Sequence, residues 1–223
     1  MTEWTIVGDE LDLTAMRLAY RLGELTEVEL APTWIAQFTR WFEATRAEPD
    51  VVEPNAIQLA TTAPDGRPSV RTVLAKSVTE RGLVFYTHYD SPKGRALDVH
   101  PYSAAVFAWL ALQRQVRLCG PTRPVPRAET ETYFAERPRG SQVGAWASAQ
   151  SAVVSGRAEL DAAVEEIERR FAGVGSLPPP PNWGGYLLEP DQVEFWQGRD
   201  NRMHDRIRFR REAREWVIER LAP

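Results

Sequence analysis

The chain has 223 residues, of which 43% are hydrophobic and 26% are charged. These are the proportions of an ordinary globular protein that is long enough to bury a substantial core. The formal net charge of −4 argues against a nucleic-acid binder, which would normally carry a clustered basic surface. Cys119 is the only cysteine, so no disulfide can form within the chain, and a reducing cytosol is the expected compartment.

The sequence also argues against export and membrane insertion. Its N-terminus has no basic segment followed by an apolar stretch, so we expect no signal peptide. The longest apolar run, residues 104–112, has nine residues and is too short to cross a membrane. We therefore expect a cytoplasmic protein with neither a membrane nor a nucleic acid as partner.

Lysine is rare in this chain. Of its 27 basic residues 25 are arginines, and the other two are Lys76 and Lys93. We interpret most of this bias as codon usage in a GC-rich genome. The two lysines nevertheless become candidates for roles in which a compact ammonium group cannot be replaced by a planar guanidinium group.

The first fifty residues are predicted to be helical. Residues 11–22 suggest a short helix. A stronger helix is predicted to begin at Pro32, and its apolar residues form one stripe. The stripe consists of Trp34, Ile35, Phe38, Trp41 and Phe42. Pro49 and Pro54 end the pattern.

From Ala56 onward the apolar residues alternate with a period of two, which predicts strands. Strands are predicted at 56–62, 69–78, 83–87, 103–110, 115–120, 185–188, 192–197, 206–210 and 215–220. Helices are predicted at 92–99, capped by Ser91, at 126–137 and at 159–171. Residues 173–182, with four consecutive prolines, are predicted to be an extended linker.

Many short strands in succession, with helices in blocks between them, favour an α+β barrel over a doubly wound parallel sheet. We interpret the proline-rich linker as a surface crossover within one domain. The roughly forty residues after it are too few for a stable core of their own.

The sequence contains no dinucleotide-binding, phosphate-loop, serine-hydrolase or zinc-protease motif, and we predict no metal site. Cationic clusters remain. Arg71 and Lys76 lie five residues apart on a predicted strand, so they should point to opposite faces and would suit two separate anionic ligands or two ends of one site. The alternative is that they are edge charges that prevent aggregation.

Two further clusters suggest binding sites. Tyr133 and Arg137 share one face of a predicted helix, and Ser141 follows just beyond its end, so the three could hold a phosphate group. Alternatively, the cations merely offset the helix dipole. Near the C-terminus, a predicted loop after Trp196 carries Arg202, His204 and Arg206, and such loops often carry chemistry.

Together these segments resemble the pyridoxamine 5′-phosphate oxidase family. The motifs that carry the resemblance are RTVLAK (71–76), FYT (85–87), RQV (114–116), YFAERPRGSQVGAWAS (133–148), QS (150–151), WGGY (183–186), VEFWQGRDNRMHDR (193–206) and the final ERLAP. The resemblance extends over residues 53–223. The first fifty residues match only loosely, and Pro92 stands where many relatives carry a basic residue.

The resemblance implies an antiparallel split β-barrel with peripheral helices, which forms a homodimer with FMN at the subunit interface. It implies one domain overall, with an N-terminal helical segment or lid at 1–52 and an FMN-binding split barrel at 53–223. The implied cofactor-binding residues, some of them from the second subunit, are Arg71, Thr72, Val73, Leu74, Ala75, Lys76, Tyr86, Thr87, Lys93, Gln115, Gln150, Ser151, Trp196 and Arg206.

The resemblance also implies a substrate, a phosphorylated B6 vitamer. Its phosphate group would be bound by Lys76, Tyr133, Arg137 and Ser141, while Arg202 and His204 would be catalytic and close over the pyridine ring. Arg17 and Tyr20 would belong to the lid. The implied reaction transfers a hydride from the substrate to the flavin, and dioxygen then takes up the electrons and leaves as hydrogen peroxide.

Three alternatives remain open from the sequence. The first is a related flavin oxidase that acts on another compound, such as a reduced phenazine precursor. The second is a carrier or sensor that binds flavin or pyridoxal phosphate without catalysis. The third is a deazaflavin-dependent reductase on the same barrel.

Overall fold

The computed structural model describes residues 6–7, 10–11 and 19–223. Five helices are present in this part of the chain: α1 (Trp34–Arg46), α2 (Pro92–Val99), α3 (Arg127–Glu136), α4 (Arg139–Ala147) and α5 (Arg157–Arg170). Short 3-10 turns occur at Leu110–Leu112 and Asp200–Arg202. Within the described residues, no helix combines the length and the apolar character needed to cross a membrane.

Twelve strands complete the described fold. They are β1 (Ile6–Val7), β2 (Glu10–Leu11), β3 (Ala56–Thr62), β4 (Pro68–Leu74), β5 (Ser77–Thr79), β6 (Gly82–His88), β7 (Tyr102–Trp109), β8 (Arg114–Pro124), β9 (Trp183–Leu188), β10 (Gln192–Gln197), β11 (Asp205–Glu212) and β12 (Glu215–Arg220). β1 and β2 pair only with each other, and β3 to β12 form one antiparallel sheet.

The long strand β8 is the branch point of this sheet. Residues Arg114–Cys119 pair with β10, whereas Thr122–Pro124 pair with β9. Along one path the order is β12-β11-β10-β8-β7-β3-β4, and along the other β9 continues to β6 and β5. The sheet curls around a core in which the inward side chains of β3, β7, β8, β10 and β11 are fully buried. The structure is therefore the predicted α+β antiparallel barrel.

Helix α1 covers one opening of this core. Its residues Trp34, Phe38 and Trp41 are all buried against the sheet. The Phe38 ring lies 5.0 Å from that of Phe107, and the Trp41 ring lies 5.4 Å from that of Phe195. The stripe predicted from the sequence is thus the packing face, although Thr33 caps the helix and Pro32 precedes the cap.

Two predicted elements are wrong in part. The helix predicted at 11–22 is contradicted at both ends, because Leu11 lies in β2 and residues 19–22 are not helical. Residues 12–18 lie outside the described part of the chain. The strand predicted at 69–78 is two strands, β4 and β5, which are interrupted at Ala75 and Lys76. Arg71 and Lys76 therefore do not share one strand, and the alternation argument for them fails.

Helix α4 was not predicted. Pro138 ends α3, as expected, but it also precedes the first residue of α4. Proline fixes a backbone angle that suits a helix start and lacks an N–H group that would be unpaired there. Ser141, which was expected beyond a helix end, therefore lies in the first turn of a second helix.

Helix α2 lies unusually close to the preceding loop, and a glycine allows this. A Cβ atom at Gly94 would overlap the carbonyl oxygen of Tyr89. Ser91 caps the helix by accepting a hydrogen bond from the Gly94 amide, at 3.3 Å. Close packing at Gly94 therefore fixes the start of α2, including Lys93.

We predict that Gly94→Ala destabilises the protein by about 1–3 kcal/mol, the usual cost of forcing extra atoms into a packed site. The measurement is urea-induced unfolding of the ligand-free protein. Gly140→Ala is the control, because Gly140 is also helical but nothing lies within 4 Å of an added Cβ. An equal effect of both substitutions would contradict the packing argument.

Candidate functional site

A cavity of about 750 Å³ lies between the β4–β5 junction, β6, the start of α2 and the α3–α4 pair. We call it the main cavity. It is lined by Arg71, Thr72, Val73, Leu74, Lys76, Tyr86, Thr87, His88, Lys93, Tyr133, Arg137, Pro138, Ser141, Gly144, Ala145, Ser148, Gln150, Ser151 and Trp183. This volume lies within the range of cofactor and small-molecule sites.

Lys93 is the most deeply buried cation in this cavity, with 8% of its surface exposed. Its Nζ donates hydrogen bonds to Gln150 Oε1 at 2.7 Å and to Thr87 Oγ1 at 3.0 Å, and Ser91 Oγ lies at 3.4 Å. These partners are neutral. Burial, with a smaller effect from the charge of Arg71, lowers the pKa of Lys93 to about 8. The ammonium group is thus held in place without being neutralised.

Arg71 and Arg137 are also half-buried, and burial lowers the pKa of each. Arg71 donates to Leu59 O and Thr61 Oγ1, at 3.0 and 2.8 Å. The Arg137 guanidinium lies over the Trp183 ring, 4.7 Å from its centre, and its buried Nη1 has no hydrogen-bond partner among the described residues. Both groups retain N–H donors for a ligand.

The main cavity carries an unbalanced positive charge. Arg71, Lys76, Lys93 and Arg137 line it, whereas no aspartate or glutamate is among its described lining residues. None of the four cations forms an ion pair within the part of the chain that the structure describes, although eighteen such pairs occur elsewhere in it. Buried charges are normally paired. This arrangement is typical of a site whose counter-ion is an anionic ligand.

Aromatic rings form one wall beside these cations. The rings of Tyr86 and Tyr133 are stacked with their centres 4.0 Å apart, and the Trp183 ring lies 5.4 Å from that of Tyr86. Gly185 allows β9 to approach this stack, since a Cβ there would lie 2.8 Å from the Tyr86 ring. Burial raises the pKa of Tyr86 to about 12, so its phenol remains protonated. The wall can pack a flat ring system next to the cations.

A second cluster lies on the other part of the sheet, around a pocket of about 310 Å³. We call it the C-terminal pocket. It is lined by Val106, Gln115, Arg117, Glu194, Trp196, His204, Arg206 and Pro223. Glu194 is buried between two arginines, with its carboxylate 2.7 Å from Arg206 Nε and 2.6 Å from Arg117 Nη2. This double ion pair fixes Arg206.

His204 packs against two aromatic rings at this pocket. Its ring lies 4.6 Å from that of Trp196 and 5.6 Å from that of Tyr20. Gly198 makes room for Tyr20, since a Cβ at Gly198 would lie 2.9 Å from that ring. Arg202 is exposed nearby and has a left-handed backbone, with φ of 62°. Such strain in a non-glycine residue is frequent at functional sites.

Comparison with known proteins identifies the family of this chain. Residues 43–171 match the family model described as pyridoxamine 5′-phosphate oxidase. The chain belongs to this oxidase family. Residues 183–223 match a second model, described as the pyridoxine 5′-phosphate oxidase C-terminal dimerisation region. The C-terminal pocket takes Trp196, His204 and Arg206 from that region.

The relatives match over nearly the whole chain. A pyridoxine/pyridoxamine 5′-phosphate oxidase from Saccharopolyspora erythraea is 53% identical over 95% of both chains. One from Frankia alni is 50% identical over 96% of this chain and 90% of its own. Among solved structures, PhzG from Burkholderia lata, in complex with tetrahydrophenazine-1-carboxylic acid, has a TM-score of 0.81 at 31% identity, over 88% of this chain and 95% of its own.

A second solved structure supports the fold alone. It is an FMN-binding protein from Nostoc punctiforme, related to pyridoxamine 5′-phosphate oxidase, with a TM-score of 0.68 at 21% identity. The alignment covers 87% of this chain and 99% of that one. The split-barrel architecture expected from the resemblance is therefore confirmed.

The structure distributes the residues predicted from the sequence between the two pockets. The main cavity brings together Arg71, Thr72, Val73, Leu74, Lys76, Tyr86, Thr87, Lys93, Tyr133, Arg137, Ser141, Gln150 and Ser151. The C-terminal pocket brings together Gln115, Trp196, His204 and Arg206, with Tyr20 packed against two of them. Arg71 and Lys76 line the same cavity, which agrees with the predicted alternative of two ends of one site.

Of the predicted site residues that the structure describes, Tyr20, Ala75 and Arg202 lie in neither lining. Ala75 is buried in the core, and its backbone N–H and C=O groups both bond to Asn55. Arg202 is exposed beside the C-terminal pocket. Arg17 lies outside the described residues. His88 and Trp183 also line the main cavity. Neither was predicted as a site residue, although Trp183 belongs to the motif WGGY, which is among those that carry the resemblance.

We predict that Lys93→Met weakens anion binding by the ligand-free protein about 10- to 100-fold. This factor corresponds to the free energy of one hydrogen bond to a charged group. The probe is sulfate, whose charge is constant, and the measurement is calorimetric titration at pH 7 and at pH 9.5. Wild-type binding should weaken at pH 9.5, because Lys93 loses its proton above about pH 8.

The ligand-free protein should become more stable over the same rise in pH that weakens its binding of sulfate. The folded pKa of Lys93 is about 8 and the ordinary pKa of a lysine is 10.5, so the unfolded chain binds more protons between these values. The free energy of unfolding should therefore rise with pH in that window, and less so in Lys93→Met.

Arg95→Met is the control, since Arg95 is an exposed cation on the same helix. Equal anion binding by both variants would refute the role of Lys93.

Proposed function

We propose that this protein is an FMN-dependent oxidase that converts pyridoxamine 5′-phosphate, and pyridoxine 5′-phosphate, to pyridoxal 5′-phosphate with dioxygen as acceptor. The observation that carries the proposal is the main cavity, in which four cations lack an acidic partner among the described residues and lie beside stacked aromatic rings. Such a site suits flat ring systems that carry phosphate groups. FMN and the B6 phosphates are both ligands of this type.

The residues of the main cavity fit FMN. Lys93 and Arg71 offer charged donors for its phosphate group, and the start of α2 adds the positive end of a helix dipole. Thr87 and Gln150 already converge on Lys93 and are positioned for the ribityl chain. The remaining proposed contacts come from the 72–76 backbone, from Tyr86 and Ser151, and from Gln115, Trp196 and Arg206 of the second cluster.

The phosphate group of the substrate is proposed to lie between Lys76 and the α3–α4 junction. Tyr133, Arg137 and Ser141 all line the main cavity there. The unpartnered Nη1 of Arg137 is a buried donor, which is costly unless a ligand accepts from it. By binding the phosphate group, these side chains would hold the reacting carbon against the flavin. Such fixed geometry is itself a large source of rate acceleration.

FMN, when bound, would supply the oxidation chemistry, by taking two electrons from the substrate and passing them to dioxygen, which leaves as hydrogen peroxide. With the alcohol substrate the aldehyde forms directly. With the amine substrate the oxidised product is an imine, which water hydrolyses to the aldehyde and ammonia. The chain's own residues would bind the flavin and the substrate and orient them relative to each other. Arg202 and His204 are proposed to close over the pyridine ring. Tyr20, and Arg17 in the lid segment 1–52, are proposed to shield the site from water. Tyr20 supports this role because it already packs on His204.

We further propose that the active site is composite and forms in a homodimer. The main cavity and the C-terminal pocket share no lining residue, yet the proposed chemistry needs both. The match of 183–223 to a dimerisation region supports this arrangement, because that region provides Trp196, His204 and Arg206. In a two-fold dimer, the C-terminal pocket of one subunit would complete the main cavity of the other.

The likeness to PhzG supports a second candidate, the oxidation of a reduced phenazine precursor. Both candidates would use Lys93 and Arg71 for the FMN phosphate group. Lys76, Tyr133, Arg137 and Ser141 remain for the substrate, and these favour the first candidate because a phenazine carboxylate has no phosphate group for them to bind.

The direct test is an aerobic assay of the FMN-loaded protein with pyridoxamine 5′-phosphate, in which pyridoxal 5′-phosphate and hydrogen peroxide are both measured. We expect them in equal amounts. Arg137→Met should raise KM for this substrate about 10- to 100-fold, through loss of a charged hydrogen bond. It should leave kcat/KM for unphosphorylated pyridoxamine unchanged.

Arg157→Met is the matched control, because Arg157 is an exposed arginine on α5. Its kinetics should equal those of the wild type. Oxidation of a dihydrophenazine carboxylate without any oxidation of the B6 phosphates would overturn the first candidate and establish the second. FMN binding without turnover on either substrate would point to a carrier.

The composite site predicts complementation between two inactive variants. Lys76→Met removes a proposed substrate-binding cation from the main cavity, and Arg202→Ala removes the proposed catalytic arginine beside the C-terminal pocket. Co-expression with two different affinity tags gives mixed dimers, in which one site carries both changes and the other carries none. Purified mixed dimers should show roughly half the wild-type activity, because one of two symmetric sites is intact. No recovery above the parent variants would show that each site is built within one chain.

A further inference from the structure

His204 accepts a hydrogen bond from a backbone amide. The N–H of Arg199 donates to Nδ1 of His204, with the two nitrogens 3.1 Å apart. Arg199 is the extended residue that caps the turn Asp200–Arg202. The Nε2 atom on the other side of the ring has no hydrogen-bond partner among residues 19–223. His204 lines the C-terminal pocket, so Nε2 is the nitrogen left for a ligand.

This contact determines where the proton of the ring lies. A backbone amide can only donate, so Nδ1 must present its lone pair. A neutral imidazole carries one proton, which must then be on Nε2. A proton on Nδ1 would instead point toward the Arg199 N–H, and two donors would face each other. The same repulsion disfavours the doubly protonated ring.

The amide of Arg199 is itself held firmly. The side chain of Arg199 forms ion pairs with Glu24 and Asp205, at 2.9 and 3.2 Å. The next residue, Asp200, is paired with Arg21 at 2.7 Å. The turn is therefore tied to the 19–25 segment on one side and to β11 on the other. The position of the donor N–H does not depend on His204.

The surrounding charges also favour the neutral ring. Burial, and then the charge of Arg202, lower the pKa of His204. The described carboxylates on the elements packed against it are Glu24, Glu194, Asp200 and Asp205, and each is paired with an arginine. None is left to stabilise an imidazolium. The arginines nearby are Arg21, Arg117, Arg199, Arg202, Arg206 and Arg220.

We propose that the Arg199 amide holds His204 in the neutral tautomer with its proton on Nε2, so that His204 donates a hydrogen bond to the substrate and does not act as the base. Arg199 is then a positioning residue, and Arg202 supplies the positive charge next to the donor. The role toward the substrate depends on the proposed function. The tautomer is a property of the protein alone.

The first test is nitrogen-15 NMR of the ligand-free protein labelled at its histidines. The chain has three histidines, and His204→Asn assigns the signals of His204 by their loss. We expect an unprotonated Nδ1 and a protonated Nε2 at neutral pH. Arg199→Ala keeps the amide and should keep this pattern, whereas Arg199→Pro removes the N–H and should give a mixture of tautomers. A proton on Nδ1 in the wild type would overturn the proposal, whatever the enzyme oxidises.

The second test separates a donor from a base. Glutamine places an amide N–H near the position of Nε2, whereas asparagine can only replace the acceptor at Nδ1. We expect His204→Gln to keep kcat within about tenfold of the wild type, and His204→Asn to lower it about 100-fold, as for loss of one active-site donor. Equal, large losses in both variants would show that a base is required. An inactive wild type would refute the proposed function, while the NMR result would still decide the tautomer.

Discussion

The ammonium group of Lys93 is buried at the start of α2 and has only neutral oxygens as hydrogen-bond partners. Much of the main cavity depends on this arrangement. Gly94 lets the helix approach Tyr89 closely enough to place the lysine, and Ser91 caps the same turn. Thr87 and Gln150 are drawn together around the charge. The free energy lost by burying an unpaired cation is recovered only when an anion binds, so the protein is built around its ligand.

Several strands were predictable because turn residues bound short runs of apolar and β-branched residues. The predicted strands 56–62, 192–197 and 215–220 have the bounds of β3, β10 and β12, because alternation and turn residues agree there. The predicted secondary structure was wrong where the same local sequence pattern is compatible with two different structures. Pro138 ends one helix and begins another, and apolar residues continue across the break between β4 and β5. The sequence alone does not distinguish these cases.

The residues of the site were predictable from motifs, but their grouping was not. Grouping depends on pairing between strands far apart in sequence, as when β6 meets β9 and brings His88 opposite Trp183. Neither residue has a local pattern that marks it as part of a cavity. The separation of the two pockets has the same origin, since β8 directs one half of the sheet toward β10 and the other toward β9. The Arg199–His204 contact likewise depends on a turn whose left-handed residues follow no simple sequence rule.

The scarcity of lysine has a practical consequence. Both side-chain amines of this protein, Lys76 and Lys93, lie on the main cavity, whereas its guanidinium groups are distributed over the whole surface. An amine-selective reagent such as an activated ester or a cyanoborohydride-trapped aldehyde therefore has no side-chain target away from that cavity. Lys93, with a pKa of about 8, is also more nucleophilic near neutral pH than an ordinary lysine. The extent of labelling would report directly how much of the cavity is filled.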